Sequence, residues 1–266
     1  MVQGLEYSLL IGISVGLSAG YLGSIMVLEK MALVGDALSH VALPGLALGI
    51  LLNFPPLFGG FAFLFASSVI IWQVNRVTKL SFETIVGAVF TLSLAIGILM
   101  IQDLEVLVEA LFGDIATVTI QDAAIGVIIA GVAIYLTKTV YNKIVLGMIS
   151  EELAISKGIN VAKVNLAFLL LVSLVVAIGI KITGTLLVGF LVVVPAAAAK
   201  NLSANLSRYS LLSSLFGAMS ASIGVLLAGV LGYLETPPPP GPLVVVVGVT
   251  IFVITVVLRW RRRLNV

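Results

Sequence analysis

The sequence predicts an all-α protein that crosses a lipid bilayer many times. Hydrophobic residues make up 61% of the chain and charged residues only 10%, whereas soluble domains carry about 25% charged residues. Mean hydropathy is +1.25. Apolar runs bounded by charges recur along the whole chain, and each is long enough to cross a hydrocarbon core about 30 Å thick as a helix. We therefore expect a single transmembrane domain over residues 1–266.

These runs divide the chain into nine predicted spans. They lie at 7–28, 33–52, 57–75, 84–101, 120–140, 164–181, 184–200, 209–232 and 242–259. Lys181 and Gly184 leave almost no turn between the sixth and seventh spans. A single broken or re-entrant element at 181–184 would reduce the number to eight. With nine crossings, the two ends of the chain lie on opposite sides of the membrane.

The basic residues predict which side is which. If the N-terminus lies outside, thirteen of the fourteen Lys and Arg residues fall on the inner side, and only Lys181 falls outside. Lys and Arg are enriched in cytoplasmic loops, and the opposite orientation would invert this distribution. We therefore expect the N-terminus outside and the C-terminus inside, where the basic run 259–263 would anchor the last span at the inner surface.

Several function classes are excluded by what the sequence lacks. It has no cysteine, and therefore no disulfide, thiolate ligand or thiol nucleophile. Its net charge is only +2, with the basic residues spread over short loops, so we expect no nucleic-acid partner. No phosphate-cradling G-x-x-x-x-G-K-[ST] loop occurs, and a single histidine cannot form H-E-x-x-H. Catalytic residues are scarce, which makes a membrane-embedded hydrolase a remote alternative, and we expect a protein that is not an enzyme and holds no permanently bound cofactor.

Asp36 and His40 form the candidate site. His40 is the only histidine, and the two residues are four apart inside the apolar segment 31–49. On a helix this spacing places both side chains on one face with Cβ atoms about 5–6 Å apart, with Ser39 beside them. An ionised Asp in a membrane helix costs about 2.5–3.5 kcal/mol, so such residues face a bundle interior or a wet cavity and usually serve function. One small cation could be shared between them, although a pair that merely ties two helices together is the alternative.

Two further segments carry acidic residues, and each allows a structural and a functional interpretation. Glu83 opens the fourth span, where the helix dipole favours a carboxylate by about 0.3–1 kcal/mol, and it could also supply a third oxygen ligand. The outer segment 102–119 holds four acids and no basic residue. They are Asp103, Glu105, Glu109 and Asp114. A solvated face explains them, and attraction of cations or of a partner is the alternative.

The longest inner segment, 138–163, contains the sequence SEELAISKGIN. Ser150, Glu151, Glu152 and Ala154 predict a short helix, and Gly158 predicts its end. Such a helix on the inner face is a structure that a cytosolic partner could grip. It could equally be an ordinary loop helix, and the residues alone do not choose between these.

Small residues predict close helix contacts in two spans. Gly12, Gly16 and Gly20 recur every four residues in the first span, which lets helix backbones approach closely. In the seventh span Pro195 is followed by the alanines 196–199. A proline there breaks the backbone hydrogen-bond ladder, which membrane helices tolerate next to neighbours or a cavity. We expect a helix interface or a gate at this position.

Six segments in order along the chain resemble the zinc/manganese permeases of ABC importers. The first is Leu28 to Gly45, with GDALSH at 35–40 and Pro44-Gly45. The others are Glu83 to Gly87, LFGD at 111–114, Glu151 to Gly158, Gly189 to Pro195 with the following alanines, and Pro240 to Pro242. The resemblance covers essentially the whole chain.

The resemblance implies a function and a set of partners. It implies the permease subunit of an ATP-driven importer of divalent transition-metal ions, with the helical fold of the vitamin B12 and siderophore permeases. It also implies a homodimer in a prokaryotic cytoplasmic membrane, two cytosolic ATP-binding subunits that hydrolyse ATP, and an extracytoplasmic metal-binding protein. Zinc or manganese is the expected cargo. A stand-alone secondary transporter, ion- or proton-coupled, is the rival reading.

The resemblance also assigns residues. Asp36, His40 and, less directly, Glu83 match the family's metal path. The segment 146–160 resembles the coupling helix that docks on the ATPase, with Glu151, Glu152, Ala154 and Gly158 as its marked residues. The chemistry agrees, because Asp, His and Glu form an incomplete set of ligands suited to Zn(II), Mn(II) or Fe(II), short of a closed structural zinc site.

Overall fold

The computed structural model describes residues 5–101, 108, 110–113, 118–232 and 238–264. Within these ranges the chain forms ten helices and no strand. They are α1 (Leu5–Leu28), α2 (Ala32–Val41), α3 (Leu43–Leu51), α4 (Pro56–Thr78), α5 (Phe82–Met100), α6 (Ile120–Ile149), α7 (Glu151–Ser156), α8 (Val161–Leu202), α9 (Leu206–Leu231) and α10 (Pro240–Leu264). The all-helical fold expected from the sequence is confirmed.

Side-chain caps determine where five of these helices begin. Ser81, Thr119, Ser150, Asn160 and Asn205 each accept a hydrogen bond from a backbone N–H three residues further on. Each cap satisfies one of the N–H groups that a helix start leaves without an intrahelical partner. At α6 the cap is reciprocal, because the Asp122 carboxylate also accepts the Thr119 N–H at 2.9 Å.

Eight segments of the described chain are long and apolar enough to cross a membrane. They match the predicted spans except at 184–200, where the structure has a shorter apolar segment, Val188–Leu202. This segment and the span Val161–Ile180 belong to the one helix α8, which is interrupted at Gly184 by φ 69° and ψ 175°. The chain thus contains a broken element at 181–184, which the sequence predicted as the alternative to two separate spans.

The break at Gly184 reverses the chain direction. A Cβ built on Gly179 would lie 2.1 Å from Val188 Cγ2, although nine residues of straight helix would separate these positions by about 13 Å. We call the two parts of α8 the first arm (Val161–Ile180) and the second arm (Val188–Leu202). Since the two arms run in opposite directions, the chain follows the path of nine passes. The second arm is the seventh of these in order, and it is shorter than the other eight.

The helices α1, α9 and α10 alternate in direction. α1 runs antiparallel to α9, because Gly16 meets Gly217 and Gly20 meets Ser213. α9 runs antiparallel to α10, where Gly224 packs on Val244 and Gly248 is 3.0 Å from Ser220 Oγ, measured from a built Cβ. α1 and α10 therefore run the same way, and Leu5 and Leu264 lie at opposite ends of the bundle.

The glycine stripe predicted in the first span makes a close helix contact with α9. A Cβ on Gly16 would lie 2.4 Å from the Gly217 carbonyl oxygen, and a Cβ on Gly20 2.3 Å from that of Ser213. The Ser213 hydroxyl also donates to the Gly20 carbonyl. The predicted interface at Pro195 is present too, since Ala196 and Ala199 are fully buried against Tyr209.

Candidate functional site

Asp36 and His40 lie on α2, in a span that continues into α3. α2 ends at Val41 and α3 begins at Leu43, with Pro44 in its first turn. Pro44 has no backbone N–H to donate to the carbonyl of His40, and its position coincides with the boundary between the two helices. The side chain of Asp36 is exposed, whereas that of His40 is only 8% exposed. The pair therefore joins a carboxylate at an accessible surface to an imidazole in the protein interior.

Asp36 packs against a glycine of the second arm of α8. A Cβ built on Gly189 would lie 2.4 Å from Asp36 Cα and 2.7 Å from Asp36 Oδ1. Only a residue without a side chain allows this approach. The Ser39 hydroxyl donates to the backbone carbonyl of Asp36 at 2.6 Å, so its proton is already used within the helix.

His40 is held by an aromatic neighbour. Its ring lies 5.3 Å from the ring of Phe90 on α5, centroid to centroid, with an angle of 55° between the planes. Its Nδ1 is buried and has no hydrogen-bond partner among the described residues. A buried polar atom without a partner costs about 1–3 kcal/mol, and this nitrogen is available to a bound group.

A second unpartnered polar atom lies on the facing helix, and the sequence reasoning missed it. Thr185 Oγ1 is fully buried and has no hydrogen-bond partner among the described residues. Thr185 lies one turn before Gly189, on the same face of the second arm. Because α2 and the second arm run in opposite directions, Thr185 is level with His40 where Gly189 is level with Asp36. The signal available in the sequence was the position of Thr185, directly after Gly184 and four residues before Gly189.

The antiparallel course of α2 and the second arm follows from the contacts between their neighbours. α3 continues α2 and runs antiparallel to α4, where Gly45 meets Gly59 and Gly49 meets Pro56. α4 runs antiparallel to the first arm of α8, as shown by the contacts Ser68 to Ser173 and Trp72 to Ala162. The first arm therefore runs with α2, and the second arm runs against it.

Glu83 lies apart from this pair. It is exposed in the first turn of α5, two turns before Phe90, which contacts His40. Two turns correspond to about 10 Å along the helix axis. Over the described part of the chain, no three His, Asp or Glu side chains come close enough together to hold one metal ion. The structure thus brings Asp36 and His40 onto one helix face and leaves Glu83 nearer the end of the bundle.

The short helix expected at 150–158 is confirmed. Ser150 caps α7 by accepting the Leu153 N–H at 3.1 Å, and Gly158, at φ 76°, ends the turn that follows it. The Ile159 N–H returns to the Ala154 carbonyl at 3.0 Å, as in helix ends that place glycine in the left-handed conformation.

The side chains of α7 divide into two groups. Glu151 and Glu152 are exposed, as are the apolar residues Leu153 (44%) and Ile155 (59%). Ala154 is fully buried. Ala154 therefore fixes the helix on the body of the protein, while the glutamates and the two apolar residues form a free surface.

The outer segment is described only in part. The acids Asp103, Glu105, Glu109 and Asp114 lie outside the described residues. Leu111 and Phe112 are described, and their backbone packs on Gly184, where a built Cβ would lie 2.2 Å from the Leu111 carbonyl oxygen. Leu111 and Phe112 therefore cover the turn between the two arms of α8.

This architecture is that of a multi-pass membrane protein whose lone histidine and a nearby carboxylate share one buried helix. The chain matches the ABC 3 transport family over residues 1–259, and it belongs to that family. The resemblance identified from sequence motifs is thereby confirmed.

Two relatives and one solved structure show the extent of the similarity. The manganese transport system membrane protein MntC of Listeria monocytogenes is 32% identical over 224 residues, which are 83% of this chain and 80% of MntC. The high-affinity zinc uptake system membrane protein ZnuB of Haemophilus influenzae is 29% identical over 261 residues, 96% and 97% of the two chains. PsaBC from Streptococcus pneumoniae, solved with a Fab, superposes with a TM-score of 0.82 at 27% identity, covering 95% of this chain and 91% of that one.

Proposed function

We propose that this chain is the permease subunit of an ATP-driven importer of divalent transition-metal ions, of the zinc, manganese and iron class. The observation that carries the proposal is the buried, unpartnered Nδ1 of His40 on the same helix face as the exposed carboxylate of Asp36. The family and relatives named for manganese and for zinc support it. The ion is the cargo of the protein.

The donor set suits an ion that must be released again. A transported ion has to bind well enough to be taken up and weakly enough to leave. One carboxylate and one imidazole give borderline ligands for Zn(II) or Mn(II) without closing the four-ligand cage of a structural site. We propose that the Thr185 hydroxyl adds a neutral oxygen opposite His40, and that Glu83 is the next acidic group toward the inner side.

Alternating access would then expose the Asp36 and His40 pair first to the outside and later to the inside. The contact between Asp36 and Gly189 makes the second arm of α8 the wall that must move relative to α2. The direction follows from the orientation we propose, with the N-terminus outside and the C-terminus in the cytoplasm of a prokaryote.

The proposed partners are a second copy of this chain, two cytosolic ATP-binding subunits and an extracytoplasmic metal-binding protein. The coupling segment 146–160 would dock on the ATPase through the exposed glutamates of α7 together with Leu153 and Ile155. ATP would be hydrolysed by those subunits and not by this chain, whose sequence has no phosphate-cradling loop.

The test is metal uptake into liposomes that contain the permease and its ATP-binding subunits. We expect Asp36→Ala and His40→Ala to abolish ATP-dependent uptake of radioactive Mn(II) or Zn(II), while copurification with the ATPase is unchanged. Ser39→Ala is the matched control, because among the described residues this hydroxyl bonds only within its own helix, and it should retain uptake. Full uptake by both site variants would remove the assignment, and uptake without ATP would favour a secondary transporter.

A further inference from the structure

A cavity lies between α4 and the first arm of α8, and its lining includes neither Asp36 nor His40. Its volume is about 460 Å³, within the range of small-ligand sites. Two hydrogen-bonded contacts fasten the helices that form it. Trp72 Nε1 donates to the Ala162 carbonyl at 2.7 Å, and the hydroxyls of Ser68 and Ser173 are 2.5 Å apart.

The mouth of this cavity is basic. Arg76 and Lys163 line it, and both side chains are exposed. The guanidinium of Arg76 lies over the Trp72 ring at 5.6 Å from its centroid, a cation–π contact that orients the charge. No carboxylate in the described part of the chain pairs with Arg76 or Lys163, so two positive charges meet here without a counter-ion.

The inner wall of the cavity is apolar and runs into the membrane. Leu166, Ala167 and Leu170 follow Lys163 on one face of the first arm, a stretch of about 10 Å along the helix. Both basic residues lie at the ends of membrane spans, Pro56–Thr78 and Val161–Ile180. The polar end of the cavity is therefore at the membrane surface and its apolar end is within the hydrocarbon.

We propose that this cavity binds an anionic phospholipid, with its phosphate between Arg76 and Lys163 and the upper part of an acyl chain along Leu166, Ala167 and Leu170. Charge complementarity selects the anionic headgroup, since basic pockets between membrane helices on the inner side take such lipids. The depth of the apolar wall selects a lipid over a cytosolic protein, which could reach only the mouth.

Trp72 provides the readout, because the chain has only two tryptophans and the other is Trp260. The full chain carrying Trp260→Phe is placed in phosphatidylcholine nanodiscs, and lipids brominated near the headgroup end of the acyl chain are added to quench Trp72 fluorescence. We expect brominated phosphatidylglycerol to quench at a much lower mole fraction than brominated phosphatidylcholine. The preference should be about fivefold for each basic side chain.

Arg76→Gln with Lys163→Gln should remove this preference. Arg261→Gln with Arg262→Gln is the matched control, since it removes the same charge at the same side of the membrane, and it should keep the preference. Equal quenching by the two lipids in the parent protein would overturn the proposal. So would reversal by millimolar glycerol phosphate, which would indicate a phosphate site, or a Trp72 signal that responds only to added ATP-binding subunits.

Discussion

Asp36 lies directly against the backbone of Gly189, so that a Cβ added to Gly189 would stand 2.7 Å from Asp36 Oδ1. At this position the helix that carries the candidate site and the second arm of α8 are in direct backbone contact. This contact joins the proposed ion ligand to the element that must move if access alternates.

Gly189→Ala should damage both stability and transport. The new Cβ would lie 2.4 Å from Asp36 Cα, and forced overpacking of this kind typically costs about 1–3 kcal/mol. We expect a lower melting temperature in detergent and loss of metal uptake. Gly131→Ala is the matched control, because nothing lies within 4 Å of its built Cβ, and it should leave both quantities unchanged or raise stability slightly. Normal uptake by Gly189→Ala would show that this contact is not part of the ion path.

Thr185→Val tests whether the unpartnered hydroxyl serves the ion. Valine keeps the shape and removes a buried hydroxyl that has no described partner, so the ion-free protein should gain about 1 kcal/mol in stability. If Thr185 is a ligand, the same change should weaken metal affinity several-fold, and Thr185→Ser should restore it. Thermal melts with and without Mn(II) measure both effects. A variant that is more stable and binds metal as tightly as the parent would limit Thr185 to a structural role.

Gly16→Ala should separate α1 from α9. Its Cβ would lie 2.4 Å from the Gly217 carbonyl oxygen, a backbone atom that cannot rotate away. We expect destabilisation of about 1–3 kcal/mol, seen as a lower melting temperature. Gly12→Ala, four residues earlier, meets nothing nearer than 3.5 Å and should be tolerated. Equal melting temperatures for the two variants would contradict the register of this interface.

Glu151→Lys with Glu152→Lys should uncouple ATP hydrolysis from metal uptake. Both carboxylates are exposed at the start of α7, where lysines would reverse the charge offered to the ATPase and oppose the helix dipole. The pair Glu151→Gln and Glu152→Gln separates these effects, because it removes the charge without opposing the dipole as strongly. We expect uptake per ATP hydrolysed to fall most in the lysine variant. Unchanged coupling in both would mean that α7 docks without these carboxylates.

Much of the fold was predictable because membrane spans are limited by length and hydropathy. The eight long spans, the α7 helix with its Ser150 cap and Gly158 end, and the glycine stripe in α1 follow from local patterns. The partner of that stripe was not predictable, because α9 is distant in sequence and several other helices also carry small residues.

The candidate site was predictable only in part, from local helical spacing. The helical spacing of Asp36 and His40 placed them on one face, and whether they bind an ion remains a prediction for the uptake test. The burial of His40, the exposure of Asp36 and the distance of Glu83 depend on how α2, α5 and α8 pack. Thr185 was missed because the direction of the second arm depends on the turn at Gly184. The sequence does not show which of its glycines adopts the left-handed conformation that makes this turn.

The turn at Gly184 begins a new helix at the end of the bundle where the outer segment lies, and a helix start has N–H groups without intrahelical partners. Protein must therefore shield it, and the backbone at Leu111 and Phe112 packs closely against Gly184. A rearrangement that lifted this cover would leave these peptide groups without their shield. Opening of the bundle toward that side is consequently expected to carry the cover and the turn together as one piece.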